Sequence, residues 1–289
     1  MIPGAPAGGY LGRLAARSAA RGTVLCLGID PDADALPAGF SRDLAGVEAF
    51  AALVLEAAGP AAAAVKVNLA FFEAFGSAGV AALERLRARV PADLPFIADA
   101  KRGDIGSTSA RIASALFDAL GADAITANPY LGADAIAPLL DRPDRFTYLL
   151  CRTSNPGAGE LQALRVAADP TSGAPEEPLA LRVARRSAAW ERHPGTVGLV
   201  VGATAPAELA AIRAVAPARP FLVPGVGAQG GDAAGTLVLG PVAAPAPVPR
   251  GGLLLVNVSR GIAGAATGAA DPGAAIAAAA ARWAADLGC

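Results

Sequence analysis

Apolar residues fall into eight short runs, each ending in a polar or turn-forming residue and followed by a stretch of helical character. The runs are Thr23–Asp30, Ala62–Asn68, Leu94–Ala98, Ala122–Ala127, Phe146–Arg152, Thr196–Gly202, Pro220–Pro224 and Leu253–Val258. Continuous rather than alternating apolar character is that of strands buried on both faces, as in a parallel sheet. Helices are expected over Val47–Ala58, Phe71–Val90, Ser107–Leu120, Leu179–Arg192, Ala207–Val215 and Ala274–Leu287. An open doubly wound sheet shares this alternation, but eight units in 289 residues favour one α/β domain closed as a (β/α)8 barrel over residues 1–289. Residues 1–22 are expected to form an N-terminal helical extension. Residues 230–252, rich in Gly, Pro and Ala, are expected to be a flexible loop before the last strand.

Composition narrows the partners. Net charge is −1 and 17% of residues are charged, so there is no basic field to hold nucleic acid, and a small molecule is the expected partner. Hydrophobic content is 54%, much of it alanine, and the apolar runs look too short to span a bilayer. The cysteines, Cys26, Cys151 and Cys289, are too few and scattered for a disulfide framework or metal cluster, which fits a reducing cytoplasm. His193 is the sole histidine and stands at a helix end, so a Ser-His-Asp triad or multi-histidine metal site is not expected.

Chemistry concentrates where strands end. Leu94–Ala98 runs into Asp99, Lys101 and Asp104, then into a Ser/Thr-rich helix start. Residues two apart on a strand share a face, so Asp99 and Lys101 are expected to project together. Only Lys66 and Lys101 are lysines among 24 basic residues, and both adjoin apolar runs. In a chain whose other basic residues are arginine, two retained lysines point to sites that need an ammonium able to give up a proton. A barrel gathers strand-end residues at one mouth, bringing Asp30, Lys66, Asp99, Lys101 and Ser154 together. A lysine beside acids stays charged, and its charge can stabilise a carbanion and then protonate it. A purely structural ion-pair network is the alternative for the same residues.

Two glycine-bearing segments, Pro224–Gly231 and Asn257–Ile262, follow the last two strands. Backbone N–H groups there can approach an anion closely, and Arg260 can fork onto phosphate oxygens. This is where the barrel architecture usually binds phosphate.

Asp99-Ala-Lys101-Arg-Gly-Asp104-Ile105 with Thr108 resembles the signature of the orotidine 5′-phosphate decarboxylase family, in its longer bacterial branch. Gly28-Ile-Asp30-Pro31, Val65-Lys66-Val-Asn68, Thr153-Ser154, Pro224-Gly-Val-Gly227 and Ser259-Arg260-Gly261 extend the resemblance in order along the chain. The resemblance implies decarboxylation of orotidine 5′-phosphate to UMP in pyrimidine biosynthesis, without metal or organic cofactor, in a cytoplasmic homodimer with shared sites. It implies Lys101 as proton donor to C6, Asp99 beside the substrate carboxylate, and Lys66 and Asp30 on the ribose hydroxyls. Asp104 and Thr108 would enter the site of the other subunit. Ser154 would bond the pyrimidine edge, while Gln229, Arg260 and backbone N–H groups near Gly261 hold the phosphate. Two other readings stand beside this one. A magnesium-dependent relative would carry a metal-binding acid where this chain has Lys66, and a silent barrel would bind UMP without turning substrate over.

Overall fold

The structure, a computed structural model, describes residues 8–227, 230–242 and 250–289. Eight parallel strands close into a barrel: β1 Leu25–Ile29, β2 Ala64–Asn68, β3 Phe96–Arg102, β4 Ala124–Ala127, β5 Phe146–Arg152, β6 Val197–Val201, β7 Phe221–Val223 and β8 Leu255–Val258. Each pairs with its neighbours in sequence, and β8 returns to β1 with Leu25 opposite Val256 and Leu27 opposite Val258. All eight lie within the expected apolar runs, apart from the extension of β3 to Arg102. This is the TIM-barrel fold.

Helices cover the outside. They are α1 Tyr10–Arg21 before the barrel, α2 Leu44–Ala58 after β1, α3 Gly76–Arg89 after β2 and α4 Gly106–Ala113 after β3. Short turns, Ala133–Ile136 and Ala137–Leu140, replace a helix after β4. Then follow α5 Leu179–Trp190, α6 Pro206–Val215, α7 Ala233–Leu239 and α8 Pro272–Asp286. Side-chain oxygens set several starts: Asp43 Oδ1 accepts the Gly46 N–H at 3.0 Å, and Asp271 Oδ1 accepts the Ala274 N–H at 2.9 Å. The stretch Leu44–Ala61 is apolar enough over 18 residues to cross a membrane by length and composition. Here Val47, Phe50, Val54 and Leu55 are instead buried in the hydrophobic core of the domain.

The barrel interior is filled in layers. Tyr10 of α1 plugs the N-terminal end, its ring 5.0 Å from Phe146 and its hydroxyl 3.0 Å from the Tyr148 hydroxyl. Arg17 of the same helix is buried and donates to the carbonyls of Ala62 and Gly59. Cys26, Ala64, Ile97, Ala124, Tyr148, Val200, Leu222 and Leu255 form the apolar middle. Burial pushes the Cys26 thiol up to about 12, which makes it an inert core residue. The opposite end of the barrel is left for polar side chains.

Two expectations need correction, and one element is new. The helix expected over Phe71–Val90 is interrupted, with a short turn Ala70–Glu73 separated from α3 by a backbone turn around Gly76, which adopts φ 61°. Within 230–252, expected to be loop throughout, Ala233–Leu239 is helical because Thr236 and apolar neighbours pack inward against α6. Gly and Pro around it hid this short Ala/Leu period, while 243–249 lies outside the described residues. Between β5 and α5, an unforeseen hairpin pairs Arg165–Val166 with Glu177–Pro178, and buried Glu177 accepts from Arg182 and Arg185 at 2.9 and 2.8 Å.

Candidate active site

A cavity of about 490 Å³ opens at the carboxyl ends of the strands. Gly28 pairs with Lys66 and Asn68 with Asp99, so the register carries the charged residues around the mouth on adjacent strands. Lys66 is 5% exposed and Asp99 8%, a depth at which charges need partners. Lys66 Nζ lies 2.7 Å from Asp99 Oδ2, and Lys101 Nζ lies 2.7 Å from Asp99 Oδ1. The Thr126 hydroxyl donates to the same Oδ1 at 2.7 Å and accepts the Lys101 N–H at 3.0 Å. Lys66 Nζ is also 3.9 Å from Asp30 Oδ1. One carboxylate is thereby gripped on both oxygens by both lysines of the chain.

The electrostatics follow from this packing. Burial alone would raise the Asp99 pKa, but Lys66 and Lys101 outweigh it and hold the carboxylate far below its ordinary range. Burial likewise opposes the Lys66 charge, yet Asp99 and Asp30 prevail and keep it protonated well beyond the ordinary lysine range. Fixed charges in a partly dry site are what stabilising a developing carbanion requires.

Asp99 and Lys101 come together, though not as residues two apart on a regular strand. The β3–β4 register shifts between Ala98 and Arg102, and Lys101 adopts φ 49°. This bulge breaks the alternation and turns Lys101 back over Asp99, with the Lys101 side chain half exposed at the rim.

Asp30, Ser154, Arg260 and Gly261 also line the cavity. A Cβ at Gly202 would lie 3.0 Å from Ser154 Cα, so the bare end of β6 makes room for that serine. Thr153 beside it is held by Gln162, whose Oε1 accepts the Thr153 N–H at 2.9 Å and whose Nε2 donates to Thr153 Oγ1 at 2.8 Å. Gly225, Val226, Arg260 and Gly261 gather on the side of β7 and β8. Gln229 lies outside the described residues. Asp104 and Thr108 do not line this cavity: Asp104 Oδ1 accepts the Ile105 N–H at 2.7 Å, and Thr108 stands exposed on α4.

Thr126 and Gln162 line the cavity and escaped the sequence reading, while Asn68 and Asn257, also in the lining, stood inside its motifs without a role of their own. Thr126 and Asn257 carried the signal that exposed Lys66, a polar residue inside a short apolar run. Gln162 sits in an irregular connection and carried none.

Residues 23–279 match the sequence profile of the Orotidine 5′-phosphate decarboxylase / HUMPS family. The chain belongs to this family. The orotidine 5′-phosphate decarboxylase of Thermomicrobium roseum is 47% identical over 240 residues, 83% of this chain and 81% of the relative. That of Roseiflexus castenholzii is 47% identical over 245 residues, 85% of each. Among solved structures, orotidine 5′-phosphate (OMP) decarboxylase of Leishmania donovani superposes with a TM-score of 0.79 at 38% identity, covering 96% of this chain and 98% of the other. UMP synthase of the same organism gives the same TM-score at 40% identity, with this chain spanning 55% of its length.

Proposed function

We infer that this chain converts orotidine 5′-phosphate to UMP and CO2. It is a carboxy-lyase of pyrimidine biosynthesis, as its relatives of similar length are named. The observation that carries the assignment to this cavity is the Asp99 carboxylate held 2.7 Å from each lysine ammonium.

The division of labour we propose starts from charge. The phosphate binds beside Arg260 and the backbone of Gly225, Val226 and Gly261, with Gln229 as a further ligand. The pyrimidine edge meets Ser154, and the ribose hydroxyls meet Asp30 and Lys66. This sets the substrate carboxylate against Asp99. Loss of CO2 leaves an electron pair at C6, which the pyrimidine ring delocalises poorly. The adjacent Lys101 ammonium stabilises that pair and transfers its proton to C6, giving UMP. Binding of the remote phosphate positions the reacting carbon, so substrate lacking phosphate should react poorly.

No metal is called for in this scheme. A lysine occupies the position between Asp30 and Asp99 where a divalent cation would be held, and its ammonium would repel one. We also propose a homodimer in which Asp104 and Thr108 complete the neighbouring subunit's site. Support comes from their position beside the cavity rather than in it, and from exposed Ile105, Tyr130 and Leu131 on the adjoining loops, at 61%, 75% and 46%. A cytoplasmic location fits an enzyme with free buried cysteines at Cys26 and Cys151.

The test follows the ultraviolet absorbance of orotidine 5′-phosphate with purified protein in EDTA. The expected result is conversion to UMP by the wild type. Absence of turnover with UMP still bound would reduce the chain to a silent nucleotide-binding barrel, and turnover lost only on chelation would make it metal-dependent.

A further inference from the structure

Asn257 stands on β8, lines the cavity and is 8% exposed. Among the described residues its Oδ1 is enclosed and has no hydrogen-bond partner. Buried polar atoms are almost always paired, so an acceptor kept in this state marks a place where a ligand brings the donor. The fold makes room for it deliberately. A Cβ on Gly28 would lie 3.0 Å from Asn257 Oδ1, 3.1 Å from its Nδ2 and 2.7 Å from Ser259 Cβ, so β1 must present a bare backbone there. Asp30, just past the end of β1, has an Oδ1 that is likewise enclosed and without a hydrogen-bond partner among the described residues. The nearest cation, Lys66, is 3.9 Å from that oxygen and committed at 2.7 Å to Asp99.

Two unpaired acceptors on adjoining strands call for a group that carries hydrogen and no negative charge. The position of Asn257 narrows the choice. It precedes Arg260 by three residues, on the phosphate side of the mouth, while Ser154 follows β5 on another part of the rim. A nucleotide stretched between those two ends lays its sugar over β8 and β1. Resting on the nucleotide reading above, we propose that Asn257 is a specificity-determining residue whose Oδ1 accepts a hydrogen bond from a ribose hydroxyl, so that the site tells ribonucleotides from deoxyribonucleotides.

Isothermal titration of UMP, 2′-deoxy-UMP and 3′-deoxy-UMP against wild type, Asn257→Leu and Asn257→Ala tests this, with melting temperatures alongside. Leucine keeps the branched outline of asparagine without its acceptor, at the cost of greater bulk, and alanine guards against a misfit of the larger chain. In both variants UMP should bind about tenfold more weakly, while the analogue lacking the contacted hydroxyl should change by less than about twofold. The melting temperature of the unliganded leucine variant should hold or rise, because an unpaired buried acceptor has been removed. Equal weakening of all three nucleotides would show a packing role, and no weakening would show no contact; either overturns the proposal. Wild type that neither binds UMP nor turns over orotidine 5′-phosphate would instead overturn the nucleotide reading beneath it.

Discussion

Lys101 reaches Asp99 through a bulge within β3: its backbone turns at φ 49°, and its Nζ ends 2.7 Å from Asp99 Oδ1. A non-glycine residue in this region costs roughly 1–3 kcal/mol and persists where its surroundings over-determine it. Here the Lys101 N–H donates to Thr126 Oγ1, and the same hydroxyl donates to Asp99. Thr126 thus fixes both the turn and the carboxylate the ammonium must meet.

In the proposed mechanism, removing the Lys101 ammonium removes both carbanion stabilisation and the proton. Lys101→Ala should lower kcat by more than about 10⁴-fold while UMP binding stays measurable. Lys101→Arg should not restore turnover, since a guanidinium keeps its protons. Steady-state rates and equilibrium titration with UMP check both statements, and substantial activity in either variant would remove Lys101 from the proton-donor role.

The pair beneath it should show in stability. Asp99→Asn leaves Lys66, 5% exposed, without its nearest counter-charge, and should cost about 3 kcal/mol at pH 7. The Asp99 pKa is depressed in the fold, so its contribution is fully present above the unfolded value of about 3.9 and fades as pH falls towards the lower folded value. Lys66 is shifted the other way, so its contribution holds below the unfolded value of about 10.4 and is lost only in strong alkali. The gap between wild type and Asp99→Asn in urea unfolding should therefore be flat from about pH 5 to 9 and narrow below about pH 4. A gap that instead varied through neutrality would point to another group.

Much of this was legible in the chain because strands buried on both faces announce themselves as apolar runs. Of the polar residues inside such runs, Lys66, Thr126 and Asn257 face the mouth, whereas Asp123 and Thr147 turn to Arg13 and the Leu139 carbonyl instead. Position along the barrel then needed only counting. What sequence could not supply was geometry that breaks the rule: the bulge at Lys101, and the turn around Gly76 that splits a helix expected to be continuous. Nor could it reveal contacts made from irregular segments, such as Gln162 on Thr153, because no period ties those residues to a face.

The proposed contact of Ser154 with the pyrimidine gives a test of how closely the base must be held. Alanine at Gly202 would put its Cβ 3.0 Å from both Ser154 Cα and Ser154 Cβ, and the first of these is backbone that must move. Misplacement of about 1 Å can cost on the order of 10²-fold, and the shift demanded here is a few tenths of an ångström, so Gly202→Ala should reduce kcat/KM for orotidine 5′-phosphate by roughly 2- to 10-fold. The melting temperature should fall only slightly. Unchanged kinetics in a folded variant would mean that the serine does not need its present place.

The proposed sharing of sites between subunits makes the most specific demand. Asp104 follows the bulge and lies outside the cavity lining, with its carboxylate turned to its own Ile105 N–H at 2.7 Å. If it serves the neighbouring site, Lys101→Ala and Asp104→Ala chains are each inactive alone, for different reasons. A hybrid dimer then holds one site with Lys101 from one chain and Asp104 from the other, and one site with neither. Random exchange would regenerate about a quarter of the sites. Activity should therefore rise on mixing, after brief denaturation and refolding, towards that fraction of wild type. Native mass spectrometry establishes that hybrids have formed. Hybrids present without recovered activity would show that Asp104 acts within its own subunit or not at all.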